Sequence, residues 1–259
     1  MKTKKEKEKL TKQEKQLDNS LQTFNIIPPA SEMSEKDEVL AKCYNDLLFF
    51  GRAFLPNDFL NKSASPLCHY QISKRLISTK PGERLCIILP RGFGKSILSK
   101  TAILHKLCFS GADAQNFIAW VSEEQGQSID HLKFLRYHLE TNKMIKYYFG
   151  NMDGGSVGKR WTEKDLVTPK GDRIIAKGTS QRLRGRAEVD VRYTGIILDD
   201  FESALNTKTP DRRNDIKRWV VSTIYPALEE SPGREGWIWL AGTIVHFDSF
   251  LQMTYDGFR

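Results

Sequence analysis

The chain has 259 residues, 39% hydrophobic and 28% charged, with 40 Lys and Arg against 32 Asp and Glu for a formal net charge of +8. That length carries one large α/β domain with a real core, or two small ones, and the composition is that of an ordinary globular protein. No apolar run approaches the roughly 18 residues of a membrane span, and the charged N-terminus lacks the apolar core of a secretory signal. The positive excess suits a protein that meets nucleic acid, and equally one with many solvated lysines. Cys43, Cys68, Cys86 and Cys108 are scattered with no Cys-x-x-Cys pair. They read as small core residues in a reducing compartment, not as a zinc site or a disulfide set.

Residues 1–20 carry seven lysines against four acids, with Leu10 and Leu17 as their large aliphatic side chains. Such a stretch is a solvated arm or a docking tail for a partner or DNA. Residues 25–33, with Pro28-Pro29, read as a linker. Residues 1–34 are therefore expected to form an arm and linker, and 35–259 one domain with a small helical region at its start. Val39, Leu40, Cys43, Leu47, Leu48 and Phe50 share one helical face. A second helix is expected over 65–77. On it, His69 reads as a packed or capping imidazole. Gln71 lies about two dozen residues before Lys95, where many nucleotide-binding ATPases place a Gln that reads adenine; an exposed helical Gln is the alternative.

The organising stretch follows. Leu85 to Leu89 is a short apolar run that reads as a buried parallel strand. It breaks into Pro90-Arg91-Gly92-Phe93-Gly94-Lys95-Ser96, and residues 97–107 then carry apolar side chains at helical spacing. Strand, glycine-bearing turn ending in Gly-Lys-Ser, and helix make the layout of a P-loop. Its backbone N–H groups and helix N-terminus would wrap phosphate oxygens, Lys95 would reach the outer phosphates, and the Ser96 hydroxyl would ligate magnesium. One departure stands out: the general pattern has glycine five residues before Gly94, and here that position is Leu89.

A second buried strand is expected over 116–122 and a long helix over 123–141, continued by 144–149. A glycine-rich loop spans 151–158, and a β-hairpin joins 166–168 to 173–176. About a hundred residues after Lys95, Ile196-Ile197-Leu198 ends in Asp199-Asp200-Phe201-Glu202. An apolar strand ending in paired carboxylates has the form of a Walker B element, where one acid holds the metal and another activates the attacking water. Asp199 takes the first role by position. Asp200 is the choice for the second, with Glu202 its rival. Thr209-Pro210-Asp211 opens a helix in the expected manner. A final core strand over 236–243 ends at Thr243, whose hydroxyl would lie next to the outer phosphate.

In their order, these segments resemble the ATPase domain of the large terminase subunit of tailed bacteriophages. The resemblance covers roughly residues 65–259 and rests on Pro90 to Ser96, Trp161-Thr162-Glu163-Lys164-Asp165, Leu183-Arg184-Gly185, Arg192, Leu198-Asp199-Asp200 and Gly242-Thr243 with His246, Asp248 and Ser249. That family's Walker A element tolerates loss of the first glycine and carries an arginine within the loop, which accounts for Leu89 and Arg91. The resemblance implies an ASCE-type P-loop ATPase with a mainly parallel sheet between helices. It implies ATP and Mg2+ as ligands, with Arg91 and Lys95 stabilising phosphate charge and Thr243 sensing the product state. It further implies a motor that drives double-stranded DNA into a procapsid in the cytoplasm of an infected bacterium. Its partners would be the portal protein and the small terminase subunit, with no membrane. The motor would act as a homo-oligomeric ring on the portal and be a monomer in isolation. Arg184, Arg192 or Arg186 would reach a neighbouring subunit's phosphate. Family members also carry a C-terminal nuclease, which is not expected within these residues.

Overall fold

In a computed structural model, the structure describes residues 34–59, 65–111, 116–179, 181, 183 and 192–257. The chain divides into two units, 1–42 and 43–259. The boundary falls inside helix α1 (Glu35–Asn45), whose first turn carries Glu35, Asp37 and Glu38 at the positive end of its dipole.

The larger unit continues with α2 (Leu47–Phe54) and α3 (Leu67–Ile77). The helical periodicity over 35–50 is split at Asp46, whose side chain accepts the Phe49 N–H at 2.9 Å and so starts α2 anew. Then come β1 (Arg84–Ile88), α4 (Lys95–Phe109), β2 (Phe117–Ser122), α5 (Gln125–Thr141) and α6 (Lys143–Phe149). Asn142 separates the last two by accepting the Met144 and Ile145 N–H groups. The hairpin strands β3 (Asp165–Val167) and β4 (Arg173–Gly178) lead to β5 (Gly195–Asp199). Next, α7 (Pro210–Trp219) starts at its Thr209 cap and runs into a π turn over Val220–Ile224. β6 (Trp237–Gly242) and α8 (Phe250–Gly257) complete the described chain.

The six strands form one sheet in the order β1-β6-β5-β2-β4-β3. Every pairing is parallel except that of β3 with β4. The molecule is thus an α/β protein with a mostly parallel sheet flanked by helices. Strands β2, β5 and β6 are buried along their whole length, as expected for parallel strands covered on both faces. The first strand departs from its expectation. Among the described residues β1 pairs only with β6, and Ile87 is its one buried residue. An apolar run does not distinguish an edge strand from a central one.

Alternation along the strands sorts the core into two layers. Val121, Ile196, Leu198, Ile238 and Leu240 pack with Phe201, Val220, Ile224, Phe250 and Leu251 on one face. On the other face Trp120 stacks on His131 of α5, and Lys106 of α4 lies over Trp237. Trp239 donates its indole N–H to Thr79 Oγ1 at 3.0 Å. Trp120 and Trp239 are fully buried, which stabilises the fold by on the order of 4–6 kcal/mol each before ordering costs. This packing fixes α4 and α5 over the same side of the sheet. Because β1, β6, β5 and β2 run parallel, their carboxyl ends open together on one edge, where α/β sheets hold ligands.

Candidate functional site

After β1, the Leu89 N–H still bonds to Gly242 O at 3.3 Å, so the loop starts alongside the end of β6. The turn then needs two left-handed residues, Gly92 at φ 78° and Gly94 at φ 71°. Gly94 is also the cap of α4, and a Cβ there would meet the His69 ring at 3.4 Å. Glycine at that position has no side chain to cap the helix, so the first turn of α4 starts without a capping side chain of its own. His69 reaches over from α3, and its Nε2 lies 3.0 Å from the Phe93 carbonyl. The imidazole read from sequence as packed or capping is therefore a brace on the glycine turn. Gln71, on the same helix, is exposed.

Lys95 is only 5% exposed. Its ammonium donates to Leu89 O at 3.0 Å, Pro90 O at 3.1 Å and Thr243 Oγ1 at 3.0 Å. Those three bonds use all three of its protons. Thr243 in turn donates to Leu89 O at 2.9 Å. Leu89, which replaces the usual glycine, serves this network through its backbone carbonyl alone. Arg91 and Phe93 are exposed on the turn, and Ser96 is half-buried at the second residue of α4.

The acids stand one strand further along. Asp199 closes β5 opposite Ala241 of β6, and the Asp200 N–H bonds to Ala241 O at 2.9 Å. Asp200 has φ 45°, the one non-glycine residue with positive φ among those described. Such a conformation costs on the order of 1 kcal/mol or more, although Asp tolerates it better than most residues. Desolvation raises the Asp200 carboxyl above the usual range, as does the charge of Asp199, while Lys95, Arg91 and His131 pull it down. Those opposing charges place Asp200 electrostatically between its acidic neighbour and the basic turn.

Asp199 is 1% exposed, and among the described residues neither of its carboxylate oxygens has a hydrogen-bond partner. His131 Nε2 lies 3.1 Å from Oδ2, close enough for an ion pair but not aligned as a hydrogen bond. The imidazole is held flat on Trp120, with centroids 4.8 Å apart. Lys100 of α4 sits 4.2 Å over the Phe134 ring, its pKa lowered by burial against the charges of Asp58 and Asp199. Sequence reading passed over His131 and Lys100. The available signal was the spacing His131, Phe134, His138 along α5, just beside its aliphatic stripe.

Glu202 is placed differently. Its Oε1 accepts the Phe250 N–H at 2.7 Å and its Oε2 the Leu251 N–H at 2.9 Å. Burial raises its pKa, opposed by those two N–H groups. The carboxylate is therefore engaged at the start of α8. Arg192 is likewise engaged, donating to Pro226 O at 3.2 Å and Leu228 O at 3.1 Å and pairing with Glu230 at 2.9 Å. It precedes β5, at the opposite end of that strand from Asp199. Arg184 and Arg186 lie outside the described residues.

The arrangement gathers a lysine at a helix N-terminus, a threonine hydroxyl and two adjacent carboxylates at the carboxyl ends of three neighbouring strands. Among the described residues no group of three or more His, Cys, Asp or Glu side chains is placed to hold a metal. A cation at Asp199 would therefore have at most two such side chains and would draw most of its ligands from hydroxyl, phosphate or water oxygens. No described helix is long and apolar enough to cross a membrane. Comparison with family models and with curated proteins finds no match.

Proposed function

We propose that the chain is the ATP-hydrolysing motor domain of a viral DNA-packaging terminase large subunit. The observation that carries this reading is the junction of Lys95, Leu89 and Thr243 beside Asp199 and Asp200. A cation at a glycine turn and helix N-terminus suits the β- and γ-phosphates, and paired acids on a nearby strand end suit a metal and an attacking water. The position of β6, between the loop strand β1 and the acid strand β5, supports an ASCE-type P-loop ATPase, the class named for that additional strand.

In this reading the α4 N–H groups and the turn cradle the phosphates, with Lys95 and Arg91 stabilising charge that builds on the transferred group. Lys95 exchanges its present carbonyl and hydroxyl acceptors for phosphate oxygens. Asp200 holds and deprotonates the attacking water. Thr243, which touches both Lys95 and Leu89 O, registers the change and passes it to β6. The buried carboxylate of Asp199, which accepts no hydrogen bond among the described residues, fits a cation, and Ser96 and Asp199 would hold Mg2+, whose charge offsets that of the phosphates. Gln71 is the candidate for adenine contact. The packaging role, with double-stranded DNA, portal protein and small terminase subunit as partners in the host cytoplasm, rests on the ordered resemblance of the motifs.

The test is ATP hydrolysis by the purified chain, measured alone and with double-stranded DNA and portal. Turnover that requires Lys95 and a divalent cation, which Mg2+ can supply, and that is stimulated by those partners is expected. Turnover unchanged in Lys95→Ala would remove the ATPase reading, and ATPase indifferent to DNA and portal would remove the packaging role.

A further inference from the structure

A buried carboxylate without hydrogen bonds is costly, and native structures rarely keep one without a partner. Asp199 is such a group among the described residues, and His131 is the side chain that comes to it, with Nε2 3.1 Å from Oδ2. The two groups do not hydrogen bond. Their spacing is instead that of neighbouring ligands of one octahedral cation, which lie about 3 Å apart when each is ~2.1 Å from the metal. The ring cannot easily turn away, because it is stacked on Trp120, itself fully buried.

We propose that His131 and Asp199 are direct ligands of one divalent cation, so that this site takes an imidazole-tolerant ion such as Mn2+ or Co2+ in preference to Mg2+. The inference rests on the nucleotide-site reading above. Magnesium holds its waters tightly and selects oxygen ligands, whereas first-row transition ions also accept imidazole, Mn2+ the most weakly of the series and Co2+ more strongly. Two protein donors leave four octahedral positions, which the Ser96 hydroxyl, phosphate oxygens and water can fill. The ion therefore binds well only together with nucleotide. The competing role for His131 is a charge partner that compensates Asp199 and never touches a metal.

Pulsed electron paramagnetic resonance on the full chain distinguishes the two, using Mn2+ and the β,γ-methylene analogue of ATP. The expected signal is a histidine nitrogen coupling that converts to a 15N coupling when histidine alone is 15N-labelled. It should disappear in His131→Gln, leaving no contribution from the other four histidines. Mn2+ affinity in the nucleotide complex should fall by about tenfold or more in that variant, the scale of losing support at a metal site. Mg2+ affinity should change far less. Mn2+ bound with nucleotide but without a histidine coupling overturns the inference and leaves the ATPase reading standing. A coupling that survives in His131→Gln also overturns it. Failure of the chain to bind the Mn2+–nucleotide complex at all removes both.

Discussion

Lys95 and Thr243, 148 residues apart in the chain, meet at 3.0 Å through Nζ and Oγ1, and Thr243 returns a bond to Leu89 O at 2.9 Å. The end of β6 and the turn after β1 are thus tied by one ammonium and one hydroxyl. The two residues should fail by different amounts. Lys95→Ala removes the cation and should lower ATP turnover by on the order of 10²–10³-fold, the scale of losing one transition-state charge contact. Thr243→Val keeps the shape but leaves Lys95 one acceptor short, and should cost about 10- to 100-fold, from the ~1.5–3 kcal/mol of a hydrogen bond to a charged group. Thr243→Ser should retain most activity. Steady-state ATPase rates of the three variants check the ranking, and a Thr243→Val rate equal to wild type would detach Thr243 from the site.

Asp200 and Glu202 should separate in a different way. Asp200→Asn should bind nucleotide and lose single-turnover hydrolysis, since it keeps the shape and removes the base. Glu202→Ala strips the acceptors from the Phe250 and Leu251 N–H groups. It should destabilise the fold by about 0.5–2 kcal/mol, as loss of a helix cap does, and shift the thermal midpoint downward while the hydrolysis rate of the folded fraction holds. If Glu202→Ala abolished single-turnover hydrolysis at full stability, the water-activating role would pass to Glu202.

These two acids also show what sequence can and cannot disclose. Asp199 and Asp200 are legible because a strand ending in paired acids is a local pattern. Glu202 is not, because its role depends on where α8 begins, 48 residues later. The glycine turn and α4 are legible for the same local reason. The splits at Asp46 and Asn142 are harder to see, since capping side chains sit inside otherwise continuous helical periodicity. Strand order is a non-local property: nothing in residues 237–242 announces that they lie between β1 and β5. His131 escaped because a histidine beside an aliphatic stripe looks the same whether it faces solvent, core or a carboxylate.

Acid sensitivity should come in part from His105. Its Nε2–H donates to Cys43 O at 3.0 Å and Tyr44 O at 3.1 Å, and Phe50 and Phe109 pack around the ring. Burial pushes its pKa down from 6.5 to about 4, against the pull of those two carbonyls and with a small push from Lys106. Between those values the unfolded chain binds more protons than the folded one, so stability rises with pH across that window. The contribution is complete above about pH 6.5 and is lost as pH falls toward 4, up to about 3 kcal/mol by the 1.36 kcal/mol per unit conversion. Thermal midpoints between pH 4 and 7 should show this slope, and His105→Gln should flatten it. An unchanged slope in that variant would assign the acid sensitivity elsewhere.

The three candidate arginines should divide by what already holds them. Arg192 is bound to Pro226 O, Leu228 O and Glu230 of its own chain. Arg192→Ala should therefore lower the thermal midpoint modestly, since two carbonyls, one of them part-buried, lose a charged donor. It should not behave as a missing contact between subunits. Arg184 and Arg186 remain as donors in trans, with Arg184 ranked first because Leu-Arg-Gly suits a projecting loop. An arginine supplied from a neighbour can raise phosphoryl transfer by about 10³-fold or more, so isolated chains should hydrolyse ATP slowly. Mixing Arg184→Ala chains with Lys95→Ala chains tests the assignment directly. Each variant alone should be nearly inactive, but a junction between them can pair an intact Lys95 loop with an intact Arg184. Activity should then reappear and peak near equal proportions. If no activity returns at any ratio under conditions where the ring demonstrably assembles, Arg184 is not the residue that crosses the interface, and the same mixture with Arg186→Ala becomes the deciding measurement.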